Sequence, residues 1–213
     1  MRKVLFAPEE VYHLYGRGND KQKLFLDKRD WIRFLFLILY LQSHLPLYHA
    51  TSAVNNFKKN GKFGVSRKMR TKILESRGVE LVSFVLMPNH FHLVVRELKE
   101  GGISEYMQKV LMAYAKYFNA KYKRSGHVFQ GPFGATHVAS NEQLLHLSAY
   151  IHRNPREMSE WRNKEHTYTW SSYQDCTGKN RWGELLKNDI IIEQFTDSNT
   201  YKKFVDTSGT KDF

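Results

Sequence analysis

The sequence predicts an α+β fold: a ferredoxin-like βαββαβ antiparallel sheet with helices on one face, followed by a C-terminal helical extension. Three observations predict it. Residues 79–97 (VELVSFVLMPNHFHLVVRE) are two apolar runs broken at Pro88-Asn89, the pattern of a buried hairpin at the centre of a sheet. The run DWIRFLFLILYLQSHL is apolar nearly all round, as in a helix packed against a sheet. Ile103, Met107, Leu111, Tyr114 and Phe118 recur at three- and four-residue spacing, the period of a second long helix.

The remaining elements fall between these. EVYHLYGR, ending at Arg17, has the aromatic and β-branched character of a first strand, and turn residues follow it. Asp27 and Asp30 place negative charge at the start of the first helix. A basic excursion comes next, an insertion at about 46–75 that interleaves Lys58, Lys59 and Lys62 with Phe57 and Phe63. It reads as a loop with one short helix near 66–77. Its lysines suit phosphates and its rings suit base stacking, unless the rings simply anchor the loop. The second long helix closes on Lys121, Lys123 and Arg124 before Gly126. VFQGPFGATHV can supply a further strand. Ser140 with Gln143 makes a capping-box pattern for the next helix, which Asn154-Pro155 stops. The polar C-terminal portion reads as helical near 185–205. The predicted division is a domain over 1–160 and an extension over 161–213.

Composition narrows the partner. The chain has 213 residues, 14% of them aromatic, and a formal charge of +12. A globular domain this basic implies an anionic partner, most often nucleic acid. A single cysteine, Cys176, excludes an internal disulfide and suits a reducing compartment. The longest apolar run is too short to cross a bilayer, and no secretory leader is legible at the N-terminus. The expectation is a cytoplasmic protein that binds no membrane and becomes nucleoid-associated with DNA.

Chemistry is suggested at two places. In a strand, His90 and His92 point to one face about 6.6 Å apart while Phe91 points to the other, so two imidazoles can lean onto one divalent ion. Two histidines lining a solvated sheet face are the simpler alternative. In the helix NEQLLHLSAYIHRN, Leu144, Leu147 and Ile151 form the buried stripe. Tyr150 lies beside it, with Asn154 one turn further on the same side. A phenol and an amide thus project together from a helix that packs on the sheet. His146 and His152 are exposed candidates for a base.

The combination MPNHFHLVV, YIHRNP, YHLYGRGNDKQKLF, GHVFQGPF and WSSY resembles the single-tyrosine HUH transposases of insertion sequences, in particular their REP-associated tyrosine transposase branch. The likeness runs from about Tyr12 to Tyr173. It implies that His90 and His92 are metal ligands, that Asn154 is the third ligand, and that Tyr150 is the nucleophile. It implies a Mg²⁺ or Mn²⁺ cofactor and cleavage and rejoining of single-stranded DNA, at a hairpin with a flanking guide sequence, through a 5′-phosphotyrosine. Arg17, Lys58, Lys59, Lys62, Lys121, Lys123, Arg124 and Arg153 are the cations expected on DNA, in a monomer or homodimer. The alternative is a domesticated, non-cleaving nucleic-acid-binding protein on the same scaffold.

Overall fold

The computed structural model describes residues 4–46 and 49–209. The elements are β1 (Val11–Arg17), α1 (Lys28–Tyr40), α2 (Ala50–Asn60), α3 (Arg67–Ser76), β2 (Val79–Met87), β3 (His90–Glu97), α4 (Gly102–Lys121), β4 (Gly134–His137), α5 (Asn141–Arg153), α6 (Tyr173–Thr177), α7 (Asp189–Ile192) and α8 (Ser198–Thr207). The four strands form one antiparallel sheet in the order β2-β3-β1-β4, the ferredoxin-like arrangement expected from the sequence.

Strand alternation sorts the side chains onto two faces. Tyr12 and Leu14 of β1 and Phe91, Leu93 and Val95 of β3 pack with the two crossover helices, α1 and α4. Val94 of β3 and Val82, Val85 and Met87 of β2 pack on the opposite face, with α5 and the C-terminal helices. A β-bulge between Leu81 and Ser83 resets the phase of β2, so that Leu81, Phe84 and Leu86 all reach the α1–α4 layer. The crossover helices thus share one face, and α5 with the extension covers the other.

The extension also closes an edge. β2 is the outermost strand, and Leu86 N–H donates to the Trp170 carbonyl at 2.9 Å while Ser172 N–H donates to the Phe84 carbonyl at 2.9 Å. Residues of the WSSY stretch therefore satisfy backbone groups that an open edge would expose. Beyond it, α8 buries Tyr201 and Val205 and clamps α5 onto the sheet.

The basic excursion contains two helices. α3 lies where one was expected, with Ser66 as its N-cap, whereas α2 was not legible. Its apolar positions, Ala53, Val54 and Phe57, fit the helical period but are too few to stand out among polar neighbours. Phe63 is 4% exposed and stacks on Phe57 at 4.4 Å, so the two rings are packing anchors and not a stacking platform for bases. The excursion packs on α1, in the layer across the sheet from His90 and His92.

The start of α1 holds the most highly bonded carboxylate. Asp27 caps the helix, and the fully buried Asp30 accepts from Leu26 N at 2.8 Å, Tyr117 Oη at 2.9 Å, Tyr122 Oη at 2.6 Å and Lys121 Nζ at 2.7 Å. This ties α1 to the end of α4. Replacing Asp30 by Ala leaves two phenols and an ammonium without their shared acceptor. We expect a loss of about 3 kcal/mol in urea unfolding, read as a lower midpoint at unchanged slope.

Candidate active site

The face of the sheet opposite α1 and α4 brings three histidines together. His90 and His92 come from β3, as alternation requires, with ring centroids 5.2 Å apart. The third is His13 on β1, which sequence reasoning missed. β1 runs beside β3 in the register His13↔Val94 and Tyr15↔His92, which sets His13 diagonally across from His92. Its Nε2 lies 2.8 Å from His92 Nδ1, and the rings stack at 5.0 Å. The signal was available: His13, Tyr15 and Arg17 alternate onto one face, and the predicted strand order makes β1 a neighbour of β3.

Helix α5 supplies the other half. Leu144, Leu147 and Ile151 are buried on the sheet, as their spacing implied. Ser140 Oγ accepts from Gln143 N at 3.1 Å, while Gln143 reaches back to Ala139 N in place of the usual Ser140 N. With α5 seated this way, the half-buried Tyr150 ring stands edge-on to His92 at 5.6 Å and to His13 at 6.4 Å. Asn154, 5% exposed at the helix end, brings Oδ1 to 3.4 Å from His90 Nε2. His90, His92, Tyr150 and Asn154, chosen from two distant segments, are brought to one place.

The proton inventory at His90 is informative. Asn154 Nδ2 donates to the Tyr150 carbonyl at 3.0 Å, which turns Oδ1 toward His90. His90 Nδ1 lies 2.7 Å from Asn89 Oδ1 and Nε2 3.4 Å from Asn154 Oδ1, both acceptors; a neutral ring has one proton, and the shorter contact is the better place for it. Burial holds the His90 imidazole below its ordinary pKa despite the Asn154 contact, and the ring is neutral near pH 7. Its Nε2 lone pair therefore faces another lone pair, on Asn154 Oδ1. His92 is pushed well down by burial, then by the neighbouring His13, His90 and Arg17. Burial alone lowers His13 to about 4. Among the described residues no trio drawn from His, Cys, Asp and Glu is arranged to hold a metal.

Two clefts flank this cluster. One, of 420 Å³, is lined by Tyr15, Arg17, His90, His92, Gln130 and Gly134 among others. The other, of 230 Å³, is lined by Tyr150, Arg153, Asn154, Arg156 and Glu157. Arg17 is exposed beside the histidines. The Tyr15 ring lies so close over Gly134 that a Cβ there would come within 2.3 Å of it.

The other predicted cations are placed differently. Arg153 donates to the carbonyls of Ser208 and Gly209 while lining the Tyr150 cleft. Lys121 is held by Asp27 and Asp30, and Arg124 donates to Gln22 at 2.5 Å, in the α1–α4 layer. Lys123 is exposed after α4, and Lys58, Lys59 and Lys62 are exposed around the end of α2, away from the histidines. His152 is not the exposed base that the sequence suggested. It is fully buried between Tyr201 Oη at 2.6 Å and Ser172 Oγ at 2.9 Å, and stacks on Tyr173 at 4.9 Å. The C-terminal extension, whose packing a single helix pattern does not reveal, covers it. His146 is half-buried, with Nδ1 2.8 Å from Ser208 Oγ.

The model of the family described as IS200-like transposase matches residues 50–154, ending on Asn154. Over that stretch, just under half of its length, the chain is similar to IS200-like transposases. Its fold is similar to that of a REP-associated tyrosine transposase solved bound to a REP hairpin, at 12% identity and a TM-score of 0.56, covering 82% of this chain and 83% of that one. At that identity the likeness is one of fold. No curated protein matches the chain. Among the described residues no helix is long and apolar enough to cross a membrane.

The buried histidines carry a pH prediction. Burial lowers His152 to about 3, whereas the unfolded chain protonates its histidines near 6.5. Between those values the unfolded state binds the extra proton, so stability is full above pH 6.5 and falls as pH drops toward 3. Between pH 6.5 and 5 we expect a loss of about 2 kcal/mol from His152, and a similar loss from His13. Urea unfolding at the two pH values, repeated on His152→Phe, measures the His152 share.

Proposed function

We propose that this protein is an IS200-like transposase, which cleaves and rejoins single-stranded DNA with Tyr150 as nucleophile, at a divalent-ion site formed by His90, His92 and Asn154. The observation that carries the reading is the meeting of unprotonated His90 Nε2 with Asn154 Oδ1 at 3.4 Å, beside His92 and under the Tyr150 ring. Two lone pairs held face to face repel unless a cation lies between them. Two neutral imidazoles and an amide oxygen, with open positions left, suit Mg²⁺ or Mn²⁺. The bound ion would supply Lewis-acid stabilisation of charge on a non-bridging phosphate oxygen.

The chain's own groups account for the rest. Tyr150 is presented from a helix clamped between sheet and α8, so its approach is set by rigid elements and not by a loop. Its phenolic oxygen forms a bond to phosphorus as the bond to the 3′ oxygen breaks. The 3′-hydroxyl departs with a proton, and the 5′-phosphate stays on the tyrosine. This covalent ester conserves the phosphodiester energy, so attack by another 3′-hydroxyl rejoins strands without a nucleotide cofactor. Arg17, at the mouth of the histidine cleft, is placed to meet the phosphate of the reacting strand. Lys58, Lys59 and Lys62 form a separate basic face for flanking DNA, such as a hairpin stem.

The test is a denaturing gel of the protein incubated with labelled single strands from the DNA flanking its gene, with Mn²⁺. The expected result is label at protein mass that disappears in Tyr150→Phe and with EDTA. Nicking that survives Tyr150→Phe without an adduct would make water the nucleophile. Tight, EDTA-insensitive binding with neither nick nor adduct would identify a non-cleaving binding protein.

A further inference from the structure

We infer that His13 is a positioning residue: its Nε2 accepts the Nδ1 proton of His92 and so holds His92 in the tautomer whose Nε2 can bind a cation. The inference rests on the reading of His90, His92 and Asn154 as ligands and extends it to a residue on another strand. Only one proton fits between His13 Nε2 and His92 Nδ1, which are 2.8 Å apart. If His92 carries it, the neutral ring has a free lone pair on Nε2. If His13 carries it, the proton of neutral His92 must sit on Nε2, and the ring cannot ligate.

The cluster shows which arrangement it is built for. His90 has the same design, with Nδ1 against Asn89 Oδ1 at 2.7 Å and Nε2 left toward Asn154. Both oxygens can only accept, and the shorter contact, to Asn89, takes the one proton of the neutral ring and leaves Nε2 free. His13 plays the matching part for His92, and outer partners of this kind orient metal-binding imidazoles generally. His13 is also fixed in place, being 2% exposed on a central strand with its ring stacked on His92 and 5.1 Å from Tyr15. Its Nδ1 is buried with no hydrogen-bond partner among the described residues. A ring chosen only for packing would avoid that unsatisfied group. What the ring gains in return is the contact to His92.

This unpaired nitrogen separates the positioning role from a structural one. His13→Leu removes the acceptor but also removes the buried polar atom, so the metal-free protein should unfold at nearly the same temperature. His13→Gln places an amide oxygen near the former Nε2 and restores an acceptor. The probe is Mn²⁺ itself, titrated into EDTA-stripped full-length protein and followed by electron paramagnetic resonance. The expected result is affinity lowered about 10–100-fold in His13→Leu and brought back to within about threefold in His13→Gln. Unchanged affinity in His13→Leu, or no rescue by glutamine, overturns the inference. If the wild-type protein binds no Mn²⁺, the ligand reading fails instead, and ¹⁵N spectra of the histidine rings then decide the role of His13. An unprotonated His92 Nε2 that becomes partly protonated in His13→Leu supports it, and an unaltered ring contradicts it.

Discussion

Everything at the site depends on the register of β3 between its two neighbours. In that register Phe91, Leu93 and Val95 enter the core under α1 and α4, while His90, His92 and Val94 face α5. Side chains alternate with a period of two, so a slip of one residue would bury the histidines in an aromatic core and expose Phe91 and Leu93. The apolar set that stabilises the sheet therefore also aims the polar set. Pro88-Asn89 at the start of β3 adds a second constraint, because Gly18 N–H donates to the Asn89 carbonyl at 2.8 Å and Leu24 N–H to that of Pro88 at 2.7 Å. The turn is tied to the chain leaving β1, and Asn89 keeps its side chain for His90.

The opposite wall is held by different means. Helix α5 has only a narrow apolar stripe toward the sheet, and its other side needs α8 and the buried set His152, Ser148, Tyr201 and Ser172. Each polar member of that set has a partner, so the network fixes the rotation of α5 without leaving polar atoms exposed to a dry core. Rotation is what matters there, since Tyr150 and Asn154 lie one turn apart on the side of α5 toward the histidines. The C-terminal extension thus acts on the site at a distance, by orienting the helix that carries the phenol.

Much of this was legible in the sequence, for local reasons. His90-Phe91-His92 in an apolar run has one plausible strand reading, and Leu144, Leu147 and Ile151 fix the face of α5. What stayed hidden depends on tertiary pairing. His13 sits in an ordinary aromatic strand, and only the β1–β3 register gives it a role. His152 looks exposed on a helical wheel because the wheel does not include α8. Lys121 reads as a free cation at a helix end, yet Asp27 and Asp30 are more than ninety residues earlier in the chain. Phe57 and Phe63, interleaved with lysines, resemble a nucleic-acid platform, but folding turns them inward.

The central claim is that His90, His92 and Asn154 converge on one cation. Anomalous diffraction from crystals soaked in Mn²⁺ tests it without any DNA. A single strong peak is expected at bonding distance from His90 Nε2, His92 Nε2 and Asn154 Oδ1, with the His92–His13 contact intact. A peak bound by His13 in place of Asn154, or ordered crystals with no peak among these residues at saturating Mn²⁺, would contradict it.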